Sequence, residues 1–150
     1  MSEPRFQRGN FVVGDLDRSL AFYRDILGFE VAFTKDSPED SYSYEVFEIP
    51  RGRALRFAVL STSSQPRVMA LTEIAGDLPE QPLPRRSAIV VEHEDIDAIV
   101  SACMAAGLTV YPEDELVTQD GREGREVGIV DPDGNLVVLY WITRHPETSG

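Results

Sequence analysis

Few side chains in this chain of 150 residues are spaced to do chemistry together. The two histidines, His93 and His145, are far apart, and neither has a second His or Cys at the spacing of a metal site. Both read as solvated residues, His93 in a strand-to-helix turn and His145 in a polar tail. The single cysteine, Cys103, falls on the apolar face of a helical pattern, where a thiol is buried and inert rather than nucleophilic. "GREGRE" at 121–126 lacks the glycine spacing and Lys-Ser/Thr pair of a phosphate loop. It reads as a solvated loop, or as a lid from which Arg122 or Arg125 reaches a ligand. The acidic run at 113–115 reads as a solvated face. The remaining feature is "VDPDGNLVVLYW" at 130–141, where an Asp133-Gly134 turn opens a run with no charge on either of its sides. That absence asks what the strand faces.

Composition narrows the answer. Fourteen basic against 26 acidic residues leave a formal charge of −12. No basic surface remains to neutralise nucleic-acid phosphates or an anionic membrane. A cationic or neutral small molecule meets a favourable field. One cysteine precludes an internal disulfide and fits a reducing compartment. "MSEPRFQRGN" lacks the apolar core of a signal peptide, and no stretch approaches the roughly 20 apolar residues of a membrane span. The expectation is a single cytoplasmic domain, long enough for a real core.

The elements that position these residues follow from periodicity. "NFVVG" is a short buried strand, and Asp15 caps a helix from Leu16 to Leu27 with Leu16, Leu20, Tyr23 and Leu27 at helical spacing. Gly28 stops it. "FEVAFT" is a strand, "KDSPEDSYS" an exposed loop, and "YEVFEI" either a strand or a short helix. "ALRFAVL" and "RVMALTEI" are strands joined by the turn-rich "STSSQP". Residues 75–86, "AGDLPEQPLPRR", carry three prolines and read as a linker. The order then returns: "SAIVVEH" as a strand, Asp95 as a cap, a helix from Ile96 to Ala106, Gly107, and "LTVY" as the next strand. A charged, glycine-bearing loop leads into the hairpin.

"DLDRSLAFYRDILGFEV" at 15–31 matches "DIDAIVSACMAAGLTV" at 95–110 in order and type. A repeat of this length is the best guide to fold. Two strand-helix-strand-strand-strand units, each unable to bury its sheet face alone, make an α+β domain. Module 1 spans about 8–74, module 2 about 87–142, and 143–150 is a tail.

"FVVGDLDRSLAFYRDILGFEV" and "VDPDGNLVVLYW" together resemble the vicinal oxygen chelate superfamily, the group of glyoxalases, bleomycin-resistance proteins and extradiol dioxygenases. The likeness runs from about residue 8 to 142. It implies two βαβββ modules pairing their mixed sheets around a cup-shaped cleft, and a homodimer. In catalytic members it also implies a divalent metal held on the first and last strands of each module. Carried over, the ligand seven residues before the helix-opening aspartate becomes Arg8 in module 1 and Ala88 in module 2. The Glu of the fourth strand becomes Ala70, and the Glu four residues after the turn glycine becomes Val138. None is a metal ligand, so the resemblance is to a family whose metal set this chain lacks. No cofactor is expected.

Strand alternation extends the cup from those positions. Asn10 joins Arg8, Thr72 joins Ala70, Glu92 joins Ala88, and Tyr140 joins Val138. The ligand-binding candidates are therefore Arg8, Asn10, Ala70, Thr72, Ala88, Glu92, Val138 and Tyr140. The structural alternatives are an Arg8–Glu92 ion pair or solvated sheet edges, an Asn10 that caps backbone, and a Tyr140 that packs in the core. Trp141, of opposite parity, packs under a helix. The expected function is binding or sequestration of a small organic molecule in a metal-free cup. The alternative is a metal-independent isomerase or lyase using Glu92 or Tyr140. A metal-dependent glyoxalase- or dioxygenase-type enzyme ranks below both.

Overall fold

The computed structural model describes residues 2–147 and divides the chain into two compact units, one through Pro79 and one from Glu80. The first contains β1 (Gly9–Val13), α1 (Leu16–Tyr23), β2 (Glu30–Asp36), α2 (Tyr42–Val46), β3 (Leu55–Ser61) and β4 (Met69–Ile74). Its sheet has the order β1-β4-β3-β2, with β1 parallel to β4 and the other pairs antiparallel. The second contains β5 (Ala88–Glu92), α3 (Ile96–Ala105), β6 (Asp114–Val117), β7 (Glu123–Val130) and β8 (Leu136–Arg144). Its order, β5-β8-β7-β6, repeats the first sheet's, again with one parallel pair. This is an α+β fold of two βαβββ modules.

In each unit one sheet face is buried beneath its helix. Phe11 and Val13 of β1, Ala58 and Leu60 of β3 and Leu71 of β4 line the face beneath α1, which brings Leu16, Leu20 and Tyr23. In the second unit Val137 and Leu139 of β8 and Ile129 of β7 meet Ile96, Ile99 and Cys103 of α3. Of the expected apolar positions, Leu16, Leu20, Tyr23, Leu27, Ile96, Ile99 and Cys103 are buried, and Val100 is half-buried.

The differences have local causes. Helix α1 is regular only to Tyr23; the Leu27 amide reaches back to the Phe22 carbonyl, a wider turn that Gly28, at φ +91°, then ends. Asp15 caps α1 by accepting the Arg18 amide, whereas Asp95 makes no side-chain cap bond. His93 Nδ1 accepts the Asp95 amide instead, so the histidine orders that turn and is only half-buried rather than free in solvent. The first three residues of "YEVFEI" end a short helix, α2, which begins at Tyr42 within the expected loop and is capped by Ser41. "LTVY" is not a strand, since only Val110 bridges to Ile129. The strand is Asp114–Val117, the acidic run itself, which forms the sheet's edge, where charge is well tolerated. The 75–86 stretch is also docked: Leu78 packs with Tyr44, Ile49, Leu55 and Ile74, Gln81 bonds Asn135 at 2.7 Å, and Arg85 bonds the Tyr111 hydroxyl at 2.8 Å. Strand β8 continues to Arg144, two residues past the expected limit of module 2. Among the described residues no helix is long and apolar enough to cross a membrane.

Candidate functional site

The sheet face turned away from each helix carries the candidate side chains. In the first unit the register sets Asn10 beside Ala70, Val12 beside Thr72, and Phe57 across from Thr72. The Thr72 hydroxyl donates to Asn10 Oδ1 at 3.0 Å. With its oxygen engaged, Asn10 offers its amide N–H donors to an acceptor group. Thr72 is 6% and Val59 1% exposed, so this part of the face is closed. At one end Tyr44 and Ile49, around α2, fold over Leu55 and Ile74. The Tyr44 hydroxyl anchors that cover on the Arg53 carbonyl. Arg8 lies just before β1 and is exposed.

In the second unit Ala88, Val90 and Glu92 of β5 share a face with Leu136, Val138 and Tyr140 of β8, each pair directly in register. The Tyr140 hydroxyl donates to Glu92 Oε2 at 2.9 Å. Glu126 of β7, in register with Tyr140 on its other side, shares the face. The carboxylate beside it and partial burial hold the Tyr140 phenol above its ordinary pKa, against a smaller opposing pull from the Arg122 guanidinium. The phenol is therefore a hydrogen-bond donor at neutral pH, and Glu92 keeps a second oxygen for a ligand donor. Val90 stays 64% exposed, an apolar floor open to solvent. At the opposite end the Tyr111 ring lies over Gly128, where a Cβ would stand 3.3 Å from Tyr111 Cδ2, and Arg85 sits 5.9 Å over that ring.

The eight candidates thus fall into two groups, Arg8, Asn10, Ala70 and Thr72 in one unit and Ala88, Glu92, Val138 and Tyr140 in the other. Glu126, Tyr111, Phe33 and Phe57 were not among them. Glu126 was hidden in residues read as a loop, where alternation is not applied; β7 in fact begins at Glu123. The lid reading of 119–126 shrinks accordingly. The connection is a tight turn at 118–122, closed by the Thr118 amide on the Arg122 carbonyl and by Arg122 Nε on Asp120 at 3.0 Å. The Thr118 hydroxyl and then Arg122 hold the Asp120 carboxyl down to about 2. Arg125 points to the helix side, bridging Asp97 at 2.5 Å and Glu113 at 2.6 Å.

A divalent metal, which the resemblance implies for catalytic relatives, does not fit these positions. Ala70, Ala88 and Val138 offer no donor atom, and Arg8 brings a positive charge. Among the described residues no group of three or more His, Cys, Asp or Glu side chains is placed to hold an ion.

The family model described as the Glyoxalase/Bleomycin resistance protein/Dioxygenase superfamily matches residues 5–139. A probable lactoylglutathione lyase of Vibrio parahaemolyticus is 29% identical over 139 residues, 93% of this chain and 91% of the relative. A glyoxalase family protein of Bacillus cereus superposes with a TM-score of 0.71 at 18% identity, covering 95% of this chain and 96% of that one. Trypanothione-dependent glyoxalase I of Leishmania major gives 0.63 at 26% identity, over 91% and 86%. The fosfomycin resistance protein FosX of Listeria monocytogenes, in a structure with Mn(II) and sulfate, gives 0.60 at 16% identity over 93% of each chain.

Proposed function

We propose that this chain, which belongs to the glyoxalase/bleomycin resistance protein/dioxygenase superfamily, binds and sequesters a small organic molecule on the open faces of its sheets, without a catalytic metal. The observation that carries the reading is the open face of the second unit. There an exposed apolar floor at Val90 lies beside the Glu92–Tyr140 hydrogen bond. Such a surface holds a ligand by burial and orients it by a few polar contacts. The polar complement it asks for is a donor toward Glu92. The absence of donor atoms at Ala70, Ala88 and Val138 supports the metal-free part of the reading, and the charge of −12 favours a neutral or cationic ligand in the cytoplasm.

The phenol–carboxylate pair supports a second reading, a metal-independent isomerase or lyase. In it Tyr140 donates a proton and Glu92 accepts one, since the phenol is held protonated. A homodimer, common in this family, is proposed with either; a monomer mass from light scattering at micromolar concentration removes it.

The test begins with the metal content of untagged protein and its thermal midpoint with added zinc, nickel, manganese and iron(II). Under about a tenth of an equivalent and no shift leave the faces to an organic ligand. Stoichiometric, stabilising metal returns the glyoxalase- or dioxygenase-type enzyme to first place. A small-molecule screen then uses Tyr140→Ala and Arg8→Ala; binding equal to wild type in both removes the site.

A further inference from the structure

We infer that the outer part of the first unit's open face, Phe33 and Phe57 with Lys35, is a subsite for an aromatic ring bearing an anionic group. The inference rests on the proposal that the open faces take a small organic molecule, and it names one part of that molecule.

Register decides which face the side chains of β2 occupy. Val31 pairs with Leu60, but Phe33 pairs with Val59, so Ala32 is an extra residue in β2. In an uninterrupted ladder Phe33 would sit opposite Ala58 and Lys35 opposite Arg56, on the face beneath α1. There Phe33 would crowd a packed core and Lys35 would meet a like charge. The bulge instead turns both to the face that carries Asn10 and Thr72, because side chains alternate with a period of two.

What they present there is specific. Phe33 and Phe57 lie edge to face, with centroids 6.0 Å apart at 78°, yet Phe33 remains 42% exposed. A third ring completes such an arrangement, since aromatic edges and faces attract. Lys35 stands directly across from Phe57 and is the single lysine in the chain. It has no ion-pair partner among the described residues, in a protein with 26 carboxylates. Its neighbour Asp36 lies on the other face, across from Arg56. The net charge opposes an anion at long range, so this local ammonium makes the selection at short range.

The test compares two fluorescent probes with the same rings. One, 1-anilinonaphthalene-8-sulfonate, is anionic; the other, N-phenyl-1-naphthylamine, is neutral. Lys35→Met is expected to weaken the sulfonate probe about threefold to fivefold, the ceiling for an exposed ion pair. It should leave the neutral probe unchanged, and Lys35→Arg should restore sulfonate binding. Phe33→Ala should weaken both probes about threefold to tenfold. Thermal midpoints within a degree of wild type confirm that the variants are folded. If wild type binds both probes and none of these variants changes either, the subsite is overturned while small-molecule binding stands. If wild type binds neither, the subsite is likewise overturned, and the broader reading is judged by its own screen on Tyr140.

Discussion

Tyr140 and Glu92 meet at 2.9 Å across the parallel pairing of β8 and β5, the phenol donating and the carboxylate accepting. The bond raises the phenol's pKa, so the folded state holds this proton more tightly than the unfolded chain does. Its contribution to stability, about 1 kcal/mol or less, is present below pH of about 10 and is lost as pH rises through the folded value. An ultraviolet difference titration of wild type against Tyr140→Phe should place this tyrosine above the ordinary value. Glu92→Gln should bring it back down. A Tyr140 that titrates normally in wild type would remove the bond from the account.

Glu73 should matter more to stability than any surface ion pair. Its Oε2 accepts the Leu16 amide at the start of α1 at 2.5 Å, and its Oε1 accepts from Arg56 at 2.8 Å, with its side chain only 13% exposed. Glu73→Ala loses both and should cost about 2 kcal/mol in denaturant unfolding. Asp17→Ala, which touches Arg56 only at 3.7 Å on an exposed face, should change nothing measurable. Equal effects from the two variants would contradict this division.

Much of this arrangement was legible in the sequence. The repeat, α1, α3 and most strands could be read because burial of one face imposes a period on each segment. The open-face positions Asn10, Thr72, Glu92 and Tyr140 followed from the positions that the family resemblance implied, extended by alternation, which holds wherever a ladder is regular. The failures lie where a rule of periodicity has no purchase. Asp114–Val117 is a strand by pairing, not by apolar pattern, because an edge strand with exposed faces needs no alternation. Phe33 was missed because a bulge leaves no trace in composition, and Lys35 because it was read as the start of a loop, although β2 runs to Asp36. Asp95 was read as a side-chain cap because the type fits, but its side chain makes no cap bond, and the turn is held by its own amide donating to His93 Nδ1.

Gly124 is required where β7 meets the end of β8. The ladder shifts register between Glu123 and Gly124, and a Cβ at 124 would stand 2.2 Å from the Trp141 carbonyl oxygen. Backbone cannot yield as a side-chain tip does, so Gly124→Ala should cost about 3 kcal/mol, a fall in Tm of roughly 6–12 °C. Gly128→Ala meets only the Tyr111 ring, at 3.3 Å, and should cost less. Calorimetry on both variants orders them; the reverse order would refute the close approach.

Cys103 should be chemically silent in the folded protein. It is fully buried on α3, and burial pushes its thiol up to about 11. Labelling by an aromatic disulfide reagent should therefore follow the unfolding transition and be negligible below it. Rapid labelling under native conditions would mean that α3 opens independently of the rest of its unit.

The extra residue at Ala32 has a consequence for how such a sheet changes over generations. Most ligand surfaces diversify by substitution, one side chain at a time. In β2 loss of the bulge with Ala32 kept in the ladder would exchange the faces of the residues that follow, withdrawing an aromatic and a cation from solvent together, whereas deleting Ala32 would leave Phe33 opposite Val59 and Lys35 opposite Phe57. Sequence identity would scarcely register the event. Relatives one residue shorter at this point should therefore keep both side chains on the open face.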